Sequence, residues 1–218
     1  MWFKGILGVI IAYLLGSIPT AYLIARIRLK KDIRQLGGGN VGALNTFKEV
    51  GILPGIIVAL IDIGKGALAV LFSHFILVLS PLWVMLSGIA VVAGHLWMVF
   101  LKFRGGRGMG AAVGAIVAVL GIYNQWGIAA ILGIIIVIPL IITRNIPLSM
   151  FCVFISLPFL AWFIACSLTA TIMALVLGLM VGGKFYPTAI AAWRKAKSPK
   201  EFFFGEIPRP PKKPKNSS

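Results

Sequence analysis

The chain has 218 residues, of which 60% are hydrophobic and 12% charged, and its mean hydropathy is +1.01. Soluble domains are roughly 45–50% apolar and about 25% charged, so a soluble globular fold, a disordered chain and a coiled coil are excluded. The 21 Lys and Arg against 5 acidic residues give a net charge of +16. In a membrane protein this excess indicates cytoplasmic loops and contact with anionic lipid, and we expect no nucleic-acid partner.

Seven apolar runs follow one another along the chain, and each predicts a membrane-spanning helix. They cover roughly residues 5–26, 52–73, 82–101, 109–123, 127–143, 147–165 and 167–183. No signal-peptide cleavage pattern follows the first run, so we expect it to be retained as a helix. The predicted fold is an all-α polytopic membrane protein with about seven transmembrane helices.

The basic residues predict the orientation of these spans. With the N-terminus outside, the inner segments hold 19 of the 21 Lys and Arg; they are 26–51, 102–108, 144–146 and 184–218. Positive charge favours the cytoplasmic side, so the C-terminus is expected to be cytoplasmic. We predict a transmembrane domain over 1–187, and over 188–218 a basic interfacial segment with a disordered tail that adheres to anionic lipid.

The first inner segment is rich in glycine and is flanked by cations. Its four glycines fall within six positions and are Gly37, Gly38, Gly39 and Gly42. Glycine backbone can turn its N–H groups into a concavity that binds phosphate. Asn40 and Asn45 offer amide hydrogens, while Arg34 and Lys48 offer positive charge. The alternative is a flexible linker between two spans.

The second inner segment places a glycine pair between two arginines. Arg104, Gly105, Gly106 and Arg107 are followed by Gly108 and then by an apolar helix. A helix N-terminus favours anions, and arginine binds phosphate oxygens through two parallel hydrogen bonds. The alternative is that these arginines only fix the membrane topology.

Three ionisable residues fall inside predicted spans. His95 lies about two turns from the inner end of the third run, and it is either a packing residue or a site residue. Asp62 and Lys65 are three positions apart and share one helix face. Because an unpaired charge at mid-membrane costs roughly 2.5–3.5 kcal/mol, we expect them to pair with each other. The alternative is that Asp62 orients an arginine of the site.

The third inner segment, Thr143–Ser149, is short. Asn145 is expected to cap the following helix, with Pro147 in its first turn. Arg144 is either an interfacial anchor or a binding residue. No cluster of Cys, His and carboxylate has metal-ligand spacing, so no metal site is predicted.

In these three segments and in parts of the neighbouring spans the chain resembles the bacterial acyl-phosphate:glycerol-3-phosphate acyltransferases, small seven-span inner-membrane enzymes. The resemblance covers about residues 5–150 in order. It rests on Gly16–Ile24, Asp32–Arg34, Gly39–Ala43, Asn45, Asp62 with Lys65–Gly66, Gly94–His95, Phe103–Gly108 and Arg144 with Ser149.

The resemblance implies acyl transfer from an acyl phosphate to the 1-hydroxyl of sn-glycerol 3-phosphate, which gives lysophosphatidic acid and phosphate. It implies a multi-pass protein of the inner membrane, with its active site facing the cytoplasm and no cofactor. The implied catalytic residues are Arg104, Arg107, His95 and Ser149. The implied substrate-binding residues are Gly37, Gly38, Gly39, Asn40, Gly42, Asn45, Lys48, Gly105, Gly106, Gly108 and Arg144.

The chain also departs from the family pattern. Gly38 stands where the family usually has Ser, and Phe185–Ile190 lacks the His and Asn found near the family's C-terminus. Two alternatives therefore stay open: a divergent, non-catalytic lipid- or phosphate-binding paralogue, and a small transporter of a phosphorylated metabolite. A transporter is expected to show paired repeats with broken helices at midplane, and no internal repeat is evident here.

Overall fold

The protein is built from α-helices, as seen in a computed structural model that describes residues 2–195 and 198. The helices are α1 (Trp2–Gly16), α2 (Thr20–Leu29), α3 (Ala43–Glu49), α4 (Ile52–Leu71), α5 (Pro81–Leu96), α6 (Met109–Ile122), α7 (Trp126–Thr143), α8 (Ile146–Phe163) and α9 (Leu168–Lys195). Short 3₁₀ turns lie at Ile33–Gln35 and Val99–Leu101, and a π-helical turn lies at Phe72–Ile76. These described residues contain no strand, which confirms the all-α prediction.

The membrane-spanning elements match the seven predicted runs. Within the described part of the chain, six helical segments are long and apolar enough to cross a membrane, and α6 is a shorter apolar helix of 14 residues. At about 1.5 Å per residue, α6 covers about 21 Å of a hydrocarbon core that is about 30 Å thick. The protein is therefore a multi-pass membrane protein.

Two of the predicted runs end or break differently in the structure. The first run divides into α1 and α2 at Pro19, because proline disfavours helical backbone in the residue before it. The third run ends at Leu96 and not near 101, so His95 lies in the last turn of α5 and not two turns inside. The carbonyls of His95 and Leu96 accept hydrogen bonds from Gly106 N and Gly105 N, so a folded loop replaces further helix.

The first helices pack with their backbones in contact. α1 and α5 run parallel: Trp2 stacks edge-on against Trp83 at one end, and Tyr13 Oη donates to the carbonyl of Trp97 at the other. α4 and α6 cross equally closely. A Cβ atom would collide with a neighbouring carbonyl at four glycines: Gly16 against Val91, Gly94 against Tyr13, Gly66 against Ala111 and Gly114 against Ile63. Small residues permit this close approach between membrane helices.

The last three helices form a more open layer. α8 packs against α7 on one side and against α9 on the other. Only 11% of the apolar window of α7 is buried, against 67% for α5, so α5 is the central helix and α7 lies at the periphery.

The last helix continues past the predicted end of its span. α9 runs through the predicted domain boundary at 187/188 to Lys195 as one helix. Residues 196–197 and 199–218 lie outside the described part of the chain, as does most of the predicted lipid-adhering tail. The division into 1–187 and 188–218 stays a prediction.

Candidate active site

The loop after α2, residues 30–42, begins with a carboxylate that fixes an arginine. Asp32 caps the 3₁₀ turn by accepting from Arg34 N at 2.9 Å, and its carboxylate also accepts from the Arg34 guanidinium at 2.7–3.1 Å. The Arg34 guanidinium holds the pKa of Asp32 below its ordinary value, and Asp32 raises that of Arg34. Arg34 Nη1 also reaches the carbonyl of Leu101 at 3.5 Å, which links this first loop to the next one.

Asn45 holds the glycine-rich part of the first loop from within. Its buried Nδ2 lies 3.0–3.3 Å from the carbonyls of Ile33, Leu36 and Asn40, and its Oδ1 accepts from Gly38 N at 3.2 Å. Its amide hydrogens are therefore directed at the loop backbone. Its predicted substrate contact stays a prediction, and the structure gives it a scaffolding position.

Two glycines in the first loop adopt backbone that other residues rarely take. Gly37 has φ +52° and Gly39 has φ +67°. The intervening Gly38 has no described atom within 4 Å of a Cβ built on it, so its position is open to the surroundings. The positive φ angles confirm that the turn needs glycine at positions 37 and 39. Gly38 has no positive φ, so its backbone does not require glycine.

The second loop, residues 97–108, folds back onto the end of α5. A Cβ atom at Gly105 would collide with the carbonyl of His95, and one at Gly106 would collide with both His95 Nε2 and the carbonyl of Val41. Gly108 has φ +80° and precedes α6. The glycines are thus required for packing, and Gly106 is a second point, beside the contact of Arg34 with Leu101, at which the two loops touch.

A polar cavity of about 800 Å³ opens between the two loops. It is lined by Tyr22, Asp32, Arg34, Gln35, Gly39, Val41, Phe100, Leu101, Lys102, Arg104 and Gly105. Of the predicted site residues, Arg104, Gly39 and Gly105 are brought together here. Three cations line the cavity, and one carboxylate faces them, already paired with Arg34.

Tyr22 and Lys102 line this cavity although sequence reasoning did not select them. The Tyr22 ring lies under the guanidinium groups of Arg26 and Arg34, at 5.7 and 5.6 Å from ring centroid to Cζ, and Arg26 Nε donates to Tyr22 Oη at 3.2 Å. The spacing of Tyr22 and Arg26, four residues apart on a helix, was an available signal. The folded loop that turns Lys102 into the cavity leaves no periodic signal in the sequence.

Arg107 faces a different volume from Arg104. Its Nη2 donates to Thr188 Oγ1 at 3.0 Å, and its Cζ lies 4.8 Å from the centroid of the Phe185 ring. Burial lowers the pKa of Arg107. Phe185 also lines an apolar groove of about 800 Å³ between α8 and α9, so the guanidinium lies next to one end of that groove.

The apolar groove extends along most of α8. Its lining includes Met109, Pro147, Phe154, Phe163 and Gly182. From Pro147 to Phe163 the helix rises about 24 Å at about 1.5 Å per residue. A hydrocarbon chain could lie along this length with a charged head beside Arg107.

The third predicted segment, Thr143–Ser149, adjoins the apolar groove through Pro147. Asn145 caps α8 by accepting from Leu148 N at 3.2 Å, which confirms the predicted cap. Ser149 is buried and donates to the carbonyl of Asn145 at 3.2 Å, while Arg144 is exposed after α7. Lys48 is exposed on α3, and none of Arg144, Ser149 and Lys48 is among the described lining residues of the polar cavity. Their predicted roles stay predictions.

The ionisable residues within the spans form one buried cluster. Asp62 Oδ1 lies 3.0 Å from Lys65 Nζ, which confirms the predicted pairing, and 3.6 Å from His95 Nδ1. Within the described residues the ion-pair neighbours of Asp62 are therefore a lysine and a histidine, and no contact there supports the alternative in which it orients a site arginine. In the described residues no group of three or more His, Cys, Asp or Glu could hold a metal ion.

These features define a class of protein: an integral membrane protein with a polar cavity lined by three cations beside an apolar groove. The family model described as glycerol-3-phosphate acyltransferase matches residues 6–193, and the chain belongs to this family. It is 47% identical over 179 residues to glycerol-3-phosphate acyltransferase 1 of Dehalococcoides mccartyi, covering 82% of this chain and 86% of that one. It is 36% identical to the glycerol-3-phosphate acyltransferase of Endomicrobium trichonymphae, covering 81% and 85%.

Two crystal structures of PlsY (YgiH), an integral membrane glycerol 3-phosphate acyltransferase, share this fold. The glycerol 3-phosphate form matches with a TM-score of 0.78 and 27% identity, over 87% of this chain and 92% of that one. The lysophosphatidic acid form matches with a TM-score of 0.75 and 25% identity, over 93% and 99%. The membership predicted from the motifs is confirmed.

Proposed function

We propose that this protein transfers a fatty acyl group from an acyl phosphate to the 1-hydroxyl of sn-glycerol 3-phosphate. The products are lysophosphatidic acid and inorganic phosphate. The observation that carries the proposal is the arrangement of Arg104 and Arg107, which are separated by a glycine pair. Arg104 lines the polar cavity, and the Arg107 guanidinium contacts Phe185, a lining residue of the apolar groove. Such a site can bind one wholly polar anion and one anion with a hydrocarbon tail.

The polar cavity suits the acceptor, glycerol 3-phosphate. Arg34, Lys102 and Arg104 can neutralise its phosphate, and Asp32 keeps Arg34 in place. Charge-assisted hydrogen bonds from a guanidinium fork are among the strongest available to phosphate. The relatives named glycerol-3-phosphate acyltransferase and the glycerol 3-phosphate form of PlsY support this acceptor.

The apolar groove suits the donor. An acyl chain would lie between α8 and α9, and its phosphate would replace Thr188 as the partner of the Arg107 guanidinium. Burial of each methylene group is worth about 0.8 kcal/mol, so a long chain gains much of its binding free energy in the groove. The lysophosphatidic acid form of PlsY supports a lipid-binding groove of this kind.

The chemistry requires positioning more than a protein nucleophile. The acceptor hydroxyl attacks the acyl carbonyl, a new ester C–O bond forms, the C–O bond to phosphate breaks, and the hydroxyl proton passes to a phosphate oxygen of the substrates. Arg104, Arg107 and backbone N–H groups can stabilise the negative charge that develops on the carbonyl and on the departing phosphate. Holding two substrates in contact supplies a large part of the rate when the donor is already activated.

We propose that the site faces the cytoplasm of a bacterial inner membrane. The segments that form the polar cavity belong to the strongly basic set of loops, and positive charge favours the cytoplasmic side. The remaining basic segments would contact anionic lipid on that side.

Reconstitution of the purified full chain tests the function. Phosphate release that requires both acyl phosphate and glycerol 3-phosphate, with formation of lysophosphatidic acid, is the expected result. Uptake of glycerol 3-phosphate into vesicles without phosphate release would identify a transporter. Binding of either substrate without turnover would identify a non-catalytic paralogue, the alternative suggested by Phe185–Ile190, which lacks the family's His and Asn.

A further inference from the structure

A buried ionic cluster lies directly beneath the two loops. Asp62, Lys65 and His95 are 4%, 3% and 3% exposed, and Asp62 Oδ1 is the atom shared by both contacts. Removing two charges from water carries a large free-energy cost, and their attraction often only balances that cost. A cluster of this kind is therefore weak evidence for stability and better evidence for a fixed geometry.

The cluster is attached on one side to the break between α1 and α2. Lys65 Nζ donates to the carbonyl of Ile18 at 3.2 Å, immediately before Pro19. This hydrogen bond connects α4 to the start of α2, and α2 leads into the first loop. The position of the first loop is thus coupled to the position of Lys65.

On the other side the cluster supports the second loop. His95 Nε2 and the carbonyl of Val41 are the two atoms that a Cβ at Gly106 would strike, and Gly106 N donates to the carbonyl of His95 at 2.9 Å. At the start of α6, a Cβ at Gly110 would lie 3.0 Å from Asp62 Cβ. Gly106, in the turn between the two arginines, therefore packs against both His95 and Val41 of the first loop.

We infer that Asp62, Lys65 and His95 are positioning residues for acyl transfer: they hold the Gly105–Gly106 turn against Val41 and so set the separation of Arg104 from Arg107. The inference rests on the proposed function. None of the three is among the described lining residues of the polar cavity or the apolar groove, so they act through the loops and not on the substrates. His95 in this role is a support for the turn and not a proton carrier.

Two substitutions at His95 test the inference in the full chain, reconstituted in bilayers. His95→Leu fills similar space but loses the ring nitrogen that lies 3.6 Å from Asp62 Oδ1, whereas His95→Asn keeps a polar group directed at Asp62. The backbone bond from Gly106 N to the carbonyl of residue 95 is kept in both variants. We expect kcat of His95→Leu to fall about 30- to 100-fold, because small misplacement of reacting groups has effects of this size. The KM for each substrate should change less than threefold, and His95→Asn should recover at least a tenth of the wild-type kcat.

Each other outcome overturns the inference. Equal losses of kcat in His95→Leu and His95→Asn would show that a titrating group is required, as for a proton carrier. A rise in KM with unchanged kcat would make His95 a binding residue, and unchanged kinetics in both variants would give it no role. Absence of turnover in the wild type itself would instead refute the proposed function.

A second variant covers failure of His95→Leu to fold. In Asp62→Asn/Lys65→Met both buried charges are removed together, so no unpaired charge remains in the interior. We expect this double variant to bind glycerol 3-phosphate with a Kd within threefold of wild type. Its kcat, divided by the fraction of molecules that bind glycerol 3-phosphate, should fall at least tenfold. Retention of wild-type kcat would overturn the inference.

Discussion

The two halves of this molecule are packed in opposite ways. In the half formed by α1, α4, α5 and α6, glycines bring backbones into contact, as at Gly16 and Gly114. In the half formed by α7, α8 and α9, Gly133 and Gly182 have no described neighbour within 4 Å of a built Cβ, and an open groove runs between two helices.

The difference matches the ligands that each half is proposed to hold. A small anion needs donors at fixed positions, which a tightly packed support provides. A flexible hydrocarbon chain needs apolar surface of adaptable shape, because the hydrophobic effect is not directional. Of the two arginines, Arg104 lines the polar cavity, and Arg107 contacts Phe185 at one end of the apolar groove.

The largest expected effect is the loss of catalytic efficiency in Arg104→Ala, a variant of the polar cavity beside the tightly packed half. Loss of its guanidinium from the polar cavity removes a donor to developing charge, and we expect kcat/KM for glycerol 3-phosphate to fall about 10²- to 10³-fold. Steady-state phosphate release measures it. Arg28→Ala is the matched control, since Arg28 carries the same charge on an exposed part of α2; a loss of equal size there would show that only net charge matters.

The contrast in packing predicts different responses to the same substitution. Gly114→Ala puts a methyl group into the carbonyl of Ile63, and overpacking of this kind costs about 1–3 kcal/mol. Gly133→Ala meets open space and should leave thermal stability unchanged or slightly higher. Thermal unfolding in detergent compares the two variants. Equal midpoints would mean that the two halves are packed alike.

Obstruction of the apolar groove should raise the KM for the acyl-phosphate donor and leave the KM for glycerol 3-phosphate unchanged. Gly182 lines the groove with space around it, so Gly182→Trp can fold while its ring occupies part of the groove. We expect KM for a long-chain acyl phosphate to rise about tenfold, since the loss of two buried methylenes is worth roughly 1.6 kcal/mol. The KM for glycerol 3-phosphate should stay constant. Gly133→Trp, which lies outside the groove, is the control, and an equal effect there would contradict the assignment.

Much of the fold and part of the site could be predicted because they depend on one-dimensional patterns. Apolar run length predicts the spans, and the structure has helices at all seven runs. The sidedness of the loops, predicted from charge asymmetry, stays a prediction. Spacing of three residues predicted the pairing of Asp62 with Lys65, and the Asn145–Pro147 pattern predicted a helix cap. Each of these signals acts between residues that are close along the chain.

Other features depend on how loops fold against each other. Arg104 and Arg107 are three residues apart, but after the Gly105–Gly106 turn Arg104 lines the polar cavity, whereas Arg107 contacts Thr188 and Phe185 of α9. Asn45 has the right chemistry for a phosphate ligand, yet its amide is directed at the backbone of its own loop. Neither outcome follows from spacing, because both require the position of a distant segment.

A hydroxyl at position 38 should improve the site. Gly38 has open space around it and no positive φ, so Gly38→Ser is compatible with the backbone. One added hydrogen bond is worth about 1 kcal/mol, and we expect kcat/KM to rise about fivefold with unchanged thermal stability. Gly37→Ser is the matched control: with φ +52° and Glu49 beside it, it should lose stability and activity. A decrease in activity in both variants would show that position 38 must stay empty.

The smallest expected effect concerns pH and the first loop. Because Arg34 lowers the pKa of Asp32, their pairing stabilises the folded state at pH values above the ordinary carboxyl pKa of about 3.9. That contribution is lost as the pH falls through the lowered pKa of Asp32 in the folded state.

The variant Asp32→Asn tests this contribution, because it keeps an acceptor for Arg34 N but cannot ionise. The unfolding temperature of the variant should therefore lie a few degrees below wild type, by a constant margin down to about pH 5, and the margin should close below about pH 4. The pair is partly exposed, at 31% for the Arg34 side chain and 16% for that of Asp32, so solvent screening keeps the margin small. A margin that is independent of pH would show that Asp32 acts through its shape alone.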